Sequence, residues 1–460
     1  MVKQFALIHL GNDDSYGLCF VAGELLRQNQ CIQWLDGDEP DILDHIQAVD
    51  PDFVLFSPLS SNYARSLEIA RGVKQLGGKA MTVFGGHQTF ALPNTIDEDG
   101  VDIVVKGPVY GTIKGILAGT PKTVLVGKPV APSRMFPERT LYFQSIPRMA
   151  TRHRKYVMSQ FGCVYNCSYC STSSLRKFYG PKVYNKYWLS RRPIRHLIDE
   201  AKVLLQFNTK EVAFEDDDAL AGPNPELWLK KFNTAWQREI GIPLYANVTP
   251  HTVVKVSDEA LRVLASMVTT VQMGVQAARP ESLRLFNRAF QSEAQVKAAY
   301  DRLSSFGIKT KLEIIVGLPV ADPLEDALDT VKMCQRVAPG TFIACFPLML
   351  YPGTRLYHRC VEQGIPLADE CKFEWHTGVG SIQFDPETSR RIKNLTKMAT
   401  MFVRYGIDER WMRALIKMDL NETASKELSE CQYLESLVFR IGDSVRKDFD
   451  SILESMHFQY

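Results

Sequence analysis

Three closely spaced cysteines, Cys163, Cys167 and Cys170, are the residues of this sequence that most directly imply chemistry. They lie in the stretch FGCVYNCSYC, which begins at Phe161 and follows an apolar run. Three thiolates in one loop can bind three irons of a 4Fe–4S cluster, and the fourth iron then has no protein ligand. An open metal position is typical of a catalytic site, whereas a structural site is closed. The spacing therefore predicts a catalytic cluster.

A zinc site is the alternative interpretation of the same three cysteines. A closed structural zinc site needs four ligands, which commonly come from paired Cys-x2-Cys units. The other seven of the ten cysteines are scattered and form no second pair. The sequence offers no good fourth ligand near the loop, so the spacing favours the cluster.

Composition limits the classes of protein to consider. The chain has 460 residues, which predicts two or three domains. Lys and Arg total 54 and Asp and Glu total 52, so a net charge of +2 gives no reason to expect a nucleic-acid or membrane partner. The first residues lack the pattern of a signal peptide, and no segment is apolar enough to span a bilayer. We therefore expect a cytoplasmic protein with reduced thiols.

Strand-like and helical patterns alternate over residues 1–130, which predicts a doubly wound α/β domain of the Rossmann or flavodoxin type. The predicted strands are Gln4–Leu10, Cys31–Leu35, Phe53–Ser57, Ala80–Phe84 and Ile103–Lys106. Ligands of such sheets bind beyond the carboxyl ends of the strands. The polar and glycine residues at those ends are thus candidates for binding: Asp14, Ser57, Leu59, Ser60, Gly85, Gly86, His87 and Gly107.

The rest of the chain divides into three predicted parts. Residues 131–155 are rich in proline and are predicted to be a linker. Residues 156–355 repeat strand and helix patterns and predict a partial parallel (β/α)6 barrel, with the cysteine loop at the carboxyl end of its first strand. Residues 356–460 are mostly helical in pattern. The family resemblance described below implies that they cover the barrel mouth, where Trp375, His376 and Trp411 either shape a substrate pocket or pack in the core or on the surface.

The Cys-x3-Cys-x2-Cys loop, with Tyr169 before its last cysteine, resembles the signature of the radical S-adenosylmethionine (SAM) superfamily. The resemblance implies a partial barrel, a 4Fe–4S cluster on the three cysteines, and SAM chelated to the open iron. Reduction by one electron then cleaves SAM and yields a 5′-deoxyadenosyl radical. Motifs at other strand ends resemble the family's SAM-binding stretches, which implies roles for Tyr169, Asp216, Asp217, Gln276, Arg288 and Ile315.

The strand ends of the first domain resemble those of the cobalamin-binding domain that precedes many radical SAM enzymes. The resemblance rests on Ser-Pro-Leu-Ser from Ser57, on the Gly-Gly-His turn from Gly85, and on Gly107. Domains that ligate cobalt through histidine carry Asp-x-His-x-x-Gly after the first strand, and Asp14 stands here in place of that histidine. We therefore expect cobalamin without a lower histidine ligand from this loop.

Together the two resemblances imply a cobalamin-dependent radical SAM methyltransferase that methylates an unactivated carbon with methylcobalamin. Its partners would be a small-molecule, peptide or protein substrate and an electron donor such as flavodoxin or ferredoxin. Three alternatives are a radical enzyme without methyl transfer (a cyclase, ring-contracting enzyme or oxidase), a zinc-stabilised binding protein, and a methylthiotransferase. The last is disfavoured because the sequence lacks the extra cluster cysteines and RNA-binding module of that class. The sequence does not identify the substrate.

Overall fold

The computed structural model describes residues 2–368, 373, 377–421 and 423–431. The chain forms two compact units, each assembled from separate segments. The first unit comprises Met1–Gly162, Ser174–Val212 and Tyr351–Gly353, and the second comprises Cys163–Ser173, Ala213–Leu350 and Thr354–Tyr460. These divisions differ from the predicted domain boundaries at residues 130, 155 and 355, which stay a prediction.

Six parallel strands form the first sheet, in the order β2-β1-β3-β4-β5-β6. They are β1 (Gln4–His9), β2 (Cys31–Asp36), β3 (Phe53–Phe56), β4 (Met81–Phe84), β5 (Ile103–Lys106) and β6 (Thr123–Val126). The helices between them are α1 (Tyr16–Arg27), α2 (Ile42–Val49), α3 (Tyr63–Gln75), α4 (Gly86–Ala91) and α5 (Ile113–Ala118). This strand order is the doubly wound flavodoxin-like one, so the predicted fold class is confirmed for this part of the chain.

The five predicted strands agree with the structure to within one residue at each end. The central strand β3, of sequence Phe-Val-Leu-Phe, is buried along its whole length, as expected for a strand covered on both faces. Sequence analysis missed β6, a short edge strand among prolines whose residues alternate between exposed and half-buried positions. An edge strand pairs on one side only and so has a weaker apolar pattern.

The segment predicted to be a linker has regular structure. It contains α6 (Thr140–Ser145) and α7 (Pro147–Ala150), and it buries Tyr142, Phe143 and Met149 completely or almost so. Prolines interrupt the sequence pattern of these helices, which are only one or two turns long.

Six further strands form the second sheet, a half-barrel in sequential order from β7 to β12. They are β7 (Arg154–Val157), β8 (Glu211–Phe214), β9 (Leu244–Val248), β10 (Val268–Gln276), β11 (Lys309–Val316) and β12 (Ile343–Pro347). The helices along this part are α8 (Thr172–Tyr179), α9 (Pro181–Tyr187), α10 (Ile194–Leu204), α11 (Pro225–Glu239), α12 (Pro250–Lys255), α13 (Asp258–Ala265), α14 (Pro280–Leu285), α15 (Glu293–Ser305) and α16 (Pro323–Val337). The predicted partial (β/α)6 barrel is thus confirmed.

Helices follow the half-barrel: α17 (Arg355–Glu362), α18 (Pro386–Arg404) and α19 (Glu409–Leu415). One apolar face of α18 is buried, including Leu395, Ala399 and Phe402. Trp411 is 56% exposed on α19, and Trp375 and His376 lie outside the described residues. Within the described part of the chain, no helix is long and apolar enough to cross a membrane.

Candidate active site

The cysteine loop follows β7 and is held on both sides by main-chain hydrogen bonds. Ser168 N donates to Phe286 O at 3.0 Å, and Leu356 N donates to Ser168 O at 2.9 Å. Ser168 Oγ also donates to Leu285 O at 2.6 Å. The loop is therefore anchored to the end of α14 and the start of α17, which fixes the backbone that carries the cysteines.

The three thiols lie at different depths in this loop. Cys167 is buried, and Cys163 and Cys170 are half-buried. Burial raises the pKa of the Cys163 thiol and raises the pKa of Cys170 to about 11. A metal or cluster binds thiolates, so its binding here would displace protons from groups that hold them firmly.

The spacing of the sulfur atoms tests the cluster against zinc. In the described part of the chain, the group of Cys, His, Asp or Glu whose ligand atoms lie within 4.8 Å of one another is Glu39, Asp41 and His45, and not the cysteines. Thiolates on one tetrahedral zinc lie about 3.8 Å apart, because each zinc–sulfur bond is about 2.3 Å long. In a cubane cluster each thiolate binds a different iron. The three cysteine sulfurs, which do not all lie within 4.8 Å of one another, are compatible with binding separate irons of one cluster.

Arg288 lies buried against the cysteine loop. Its Nη1 donates to Cys167 Sγ at 3.6 Å, and its Nη2 donates to Gly274 O at 2.8 Å and to Gln291 Oε1 at 2.9 Å. Its Nε is buried and has no hydrogen-bond partner in the part of the chain that the structure describes. Tyr169 and Cys167 raise the pKa of this guanidinium, although burial opposes them. A permanent buried cation with one unused donor fits an anionic ligand such as a carboxylate.

An apolar wall lies beside the same loop. The ring of Tyr169 contacts Phe286 edge to face, with ring centroids 4.7 Å apart. Both side chains belong to an apolar cluster that includes Ile315 at the end of β11. Two predicted SAM-binding residues, Tyr169 and Ile315, thus share one apolar surface within the second unit, which can pack against a flat ring.

The acidic residues after β8 are used in different ways. Asp218 is buried and accepts hydrogen bonds from Thr249 Oγ1 at 2.9 Å and Thr252 Oγ1 at 2.8 Å, so it holds the following loop. Asp217 is exposed and accepts a hydrogen bond from Thr172 Oγ1, two residues after Cys170. Surrounding protein, and then Asp216, raise the pKa of Asp217 to about 6. Of the two predicted SAM ligands, Asp216 is fully buried and Asp217 is accessible.

Gln276 has an unusual backbone for its residue type. Its φ is +73°, and a register shift interrupts the pairing of β10 with β11 between Gly274 and Gln276. Its Nε2 donates to Glu313 Oε1 at 3.0 Å, while its buried Oε1 has no partner among the described residues. A left-handed glutamine is unfavourable and is found where function requires it. The free carbonyl oxygen can accept a hydrogen bond from a ligand hydroxyl.

The candidate cobalamin residues meet at the carboxyl edge of the first sheet. Ser60 Oγ donates to Gln88 Oε1 at 2.6 Å, which joins the segment after β3 to α4. Gly86 has a φ of +84°, and a Cβ on it would lie 2.4 Å from Ser57 Oγ. The start of α4 therefore packs tightly against Ser57. Leu59 lies in the segment after β3, Gly85 directly precedes α4, and His87 lies in its first turn.

Leu59 and His87 are exposed. Surrounding protein lowers the pKa of the His87 imidazole. This edge includes the switch point between β1 and β3, where doubly wound sheets bind ligands.

Asp14, the residue at the position of the cobalt-ligating histidine, is part of a buried ion pair. Its Oδ2 lies 2.7 Å from Arg139 Nη2, and both side chains are almost fully buried. Arg139 also faces Glu200 at 3.6 Å and lies over the ring of Tyr16, 4.7 Å from its centroid. The ion pair with Arg139 thus fixes the position of Asp14 in the loop after β1.

Gly107 is packed against a tyrosine. Its φ is +81°, a Cβ on it would lie 1.9 Å from Tyr179 Oη, and that hydroxyl donates to Gly127 O at 3.0 Å. We predict that Gly107→Ala lowers the free energy of unfolding by about 1–3 kcal/mol, because it introduces a clash and a strained φ. Urea unfolding measures this, and Tyr179→Ala should remove part of the loss.

The same pair of variants tests whether Gly107 also binds cobalamin. A spectroscopic cobalamin titration of Gly107→Ala in the Tyr179→Ala background should still show weakened binding if the glycine faces the ligand. Unchanged affinity in that background would mean that packing against Tyr179 alone requires the glycine.

Several residues of these sites were missed at the level of sequence. Arg139 lies in the proline-rich segment, and no motif in the sequence marks it as a site residue. Glu313, by contrast, is a carboxylate inside the apolar run Leu312–Val316, and a charge within a buried strand could have been noticed. The remaining site residues stay predictions, and the structure groups them around the cysteine loop in the second unit and around the edge of the first sheet.

Comparison with known proteins gave matches in both parts of the chain. A family model described as the B12-binding domain matches residues 15–117, and one described as the Radical SAM superfamily matches residues 157–334. The uncharacterized methyltransferase PH0819 of Pyrococcus horikoshii is 24% identical over 383 residues, covering 76% of this chain and 79% of the relative.

Two solved structures share the fold over most of the chain. The radical SAM methyltransferase TsrM from Kitasatospora setae, solved with cobalamin and a [4Fe-4S] cluster, aligns with a TM-score of 0.62 at 17% identity, covering 80% of each chain. The cobalamin-dependent radical enzyme OxsB aligns with a TM-score of 0.63 at 13% identity, covering 95% of this chain and 71% of that one.

Proposed function

Because this chain is a radical SAM protein with an N-terminal B12-binding domain, we propose that it is a methyltransferase that methylates an unactivated carbon of its substrate. Its cofactors are a 4Fe–4S cluster, SAM and cobalamin. The observation that carries the proposal is the presence, on one chain, of an open-cluster cysteine loop and a doubly wound sheet with a polar carboxyl edge. Methyltransferases among its relatives and structural neighbours support the transfer of a methyl group.

Cys163, Cys167 and Cys170 would hold the cluster, and residues at the edge of the first sheet would hold cobalamin. When bound, the cluster supplies one electron for cleavage of SAM, and cobalamin supplies a cobalt that carries a methyl group. The alternative of a zinc-stabilised binding protein is not supported, because the radical SAM match includes the cysteine loop.

The residues around the cysteine loop would bind and orient SAM. Arg288 offers a buried positive charge and a free Nε to the methionine carboxylate. Asp217 offers an accessible carboxylate to the amino group of SAM, and the buried Asp216 directly precedes it in the sequence. Gln276 offers its unpaired Oε1 to a ribose hydroxyl, and Tyr169 and Ile315 form an apolar surface for the adenine. These contacts would exclude water from the reacting bond.

Glu313 should matter for SAM binding although it was not among the predicted site residues. It accepts hydrogen bonds from Gln276 Nε2 at 3.0 Å and from Gln272 Nε2, and these bonds leave Gln276 Oε1 free. We expect Glu313→Ala to weaken SAM binding about tenfold, equal to about 1.4 kcal/mol, because Gln276 loses its orientation. Calorimetric titration of SAM into the reconstituted protein measures this. Glu281→Gln, an exposed carboxylate on α14, is the control and should bind SAM normally.

Product analysis tests the proposed reaction. The reconstituted, reduced protein is supplied with SAM, cobalamin and a fractionated extract that contains small molecules and peptides. Methylation predicts equimolar S-adenosylhomocysteine and 5′-deoxyadenosine, together with a compound that gains the mass of one methylene group. Deoxyadenosine alone would instead indicate a radical enzyme without methyl transfer.

A further inference from the structure

A cavity outside the proposed SAM site adjoins the cysteine loop within the second unit. Its volume is about 820 Å³, and it lies among the cysteine loop, the loop after β8, and helices α11 to α13. The lining includes Val164 and Tyr165, the two residues directly after Cys163. Nothing in the proposed reaction uses this cavity.

The rim of this cavity exposes large apolar side chains. Val164 and Leu227, which line the cavity, are 38% and 54% exposed, and Phe290, which adjoins the lining by stacking on Tyr165, is 43% exposed. Exposed apolar side chains that cluster around one concave surface, rather than lying singly, are typical of an interaction site.

Aromatic rings lead from this surface to the cysteine loop. Phe290 stacks on Tyr165 with ring centroids 5.4 Å apart and planes 15° apart, and His251 contacts both rings edge to face. The main-chain N–H of Tyr165 faces Cys163 Sγ at 3.5 Å. A molecule that binds at this rim would therefore contact Val164 and Tyr165, the two residues that directly follow Cys163, the first cluster ligand.

Lys255 gives one part of this surface a positive charge. Two acidic groups near it are paired with other cations: Glu226 with Lys230 at 3.0 Å, and Asp258 with Arg302 at 2.6 Å. Lys255 lines the cavity, is exposed, and forms no ion pair within the described residues. Burial lowers the pKa of His251, and the positive charge of Lys255 lowers it further. An unpaired cation beside apolar side chains complements a partner that carries acidic groups around an apolar centre.

We propose that this rim, formed by Val164, Leu227, Lys255 and Phe290, is the docking surface for a small acidic one-electron carrier protein. The proposal rests on the proposed function, since the cluster must receive an electron from outside the chain. In the transfer, the carrier is oxidised by one electron and the cluster is reduced by one electron, and no proton or bond is exchanged. Encounters of this kind use small surfaces and depend on ionic strength.

The test compares two reductants on the same reconstituted protein. Reduction of the cluster is followed by stopped-flow absorbance with a flavodoxin hydroquinone or with dithionite. Lys255→Glu and Leu227→Asp should each slow reduction by flavodoxin about tenfold at low salt and weaken its binding, measured by calorimetry, because charge and apolar contact steer the encounter. Dithionite should reduce both variants at the wild-type rate. For Lys255→Glu the difference should shrink at high salt.

Lys231→Glu is the matched control. Lys231 is exposed, forms no ion pair within the described residues and lies one residue from Lys230, but it does not line the cavity. Flavodoxin should reduce the cluster of the Lys231→Glu variant at the wild-type rate. Equal flavodoxin rates for Lys255→Glu, Lys231→Glu and the wild type would overturn the proposal.

Two other outcomes would have different meanings. If the rim variants lower product formation equally with flavodoxin and with dithionite, while cluster reduction is unchanged, the rim belongs to the substrate and the docking proposal is wrong. If no cluster assembles in the wild type, the proposed function itself is wrong.

Discussion

Cys167→Ala is expected to abolish cluster assembly and SAM cleavage. Cys167 is the most buried of the three thiols and contacts Arg288, and its removal takes away one of the three thiolates that the loop offers to the cluster. Reconstituted wild-type protein should contain about four irons and four sulfides per chain, whereas the variant should lose the cluster absorbance. Deoxyadenosine formation should fall below detection. Iron and sulfide assays, with chromatography of the nucleosides, measure both effects.

The control for this variant is Cys334→Ala. Cys334 is fully buried in α16 and is interpreted as a packing residue, so its loss should leave the iron content unchanged. A Cys167→Ala protein that still held four irons and still formed deoxyadenosine would contradict the assignment of the loop.

Arg139→Met is expected to destabilise the protein by about 3–5 kcal/mol. Arg139 is almost fully buried against Asp14, and its removal leaves that carboxylate buried without its cation. The midpoint of urea unfolding should fall accordingly. Asp14→Asn in the same protein should recover part of the loss, because a neutral amide tolerates burial better than an unpaired charge.

An exposed ion pair provides the comparison. Arg195 and Asp199 lie 2.5 Å apart on the surface of α10, and Arg195→Met should change the free energy of unfolding by less than about 1 kcal/mol. If Arg139→Met were as mild as Arg195→Met, Asp14 would not be held by a buried ion pair, and its carboxylate would be available for another role.

Local patterns in the sequence were sufficient to predict most of the fold. Apolar runs such as Phe53–Phe56 and Ile103–Lys106 are buried on both faces, so their composition alone identifies them as strands. The cysteine loop was equally clear, because its three ligands lie within eight residues and need no knowledge of the fold.

Features that depend on distant residues could not be predicted. Asp14 and Arg139 are 125 residues apart in sequence, and Gly107 is limited by Tyr179 from a later helix. The left-handed conformation of Gln276 arises from the register shift between two strands, which no local pattern encodes. The short helices α6 and α7 were hidden because prolines interrupt their pattern.

The most direct test of the central claim is a substrate-free reaction of the protein that carries both cofactors. The cluster is reconstituted, one equivalent of cobalamin is bound and reduced, and SAM with a labelled methyl group is added under anaerobic conditions. A cobalamin-dependent methyltransferase predicts a burst of one S-adenosylhomocysteine per bound cobalamin, with none when cobalamin is omitted. Formation of 5′-deoxyadenosine without any S-adenosylhomocysteine would contradict methyl transfer by this protein.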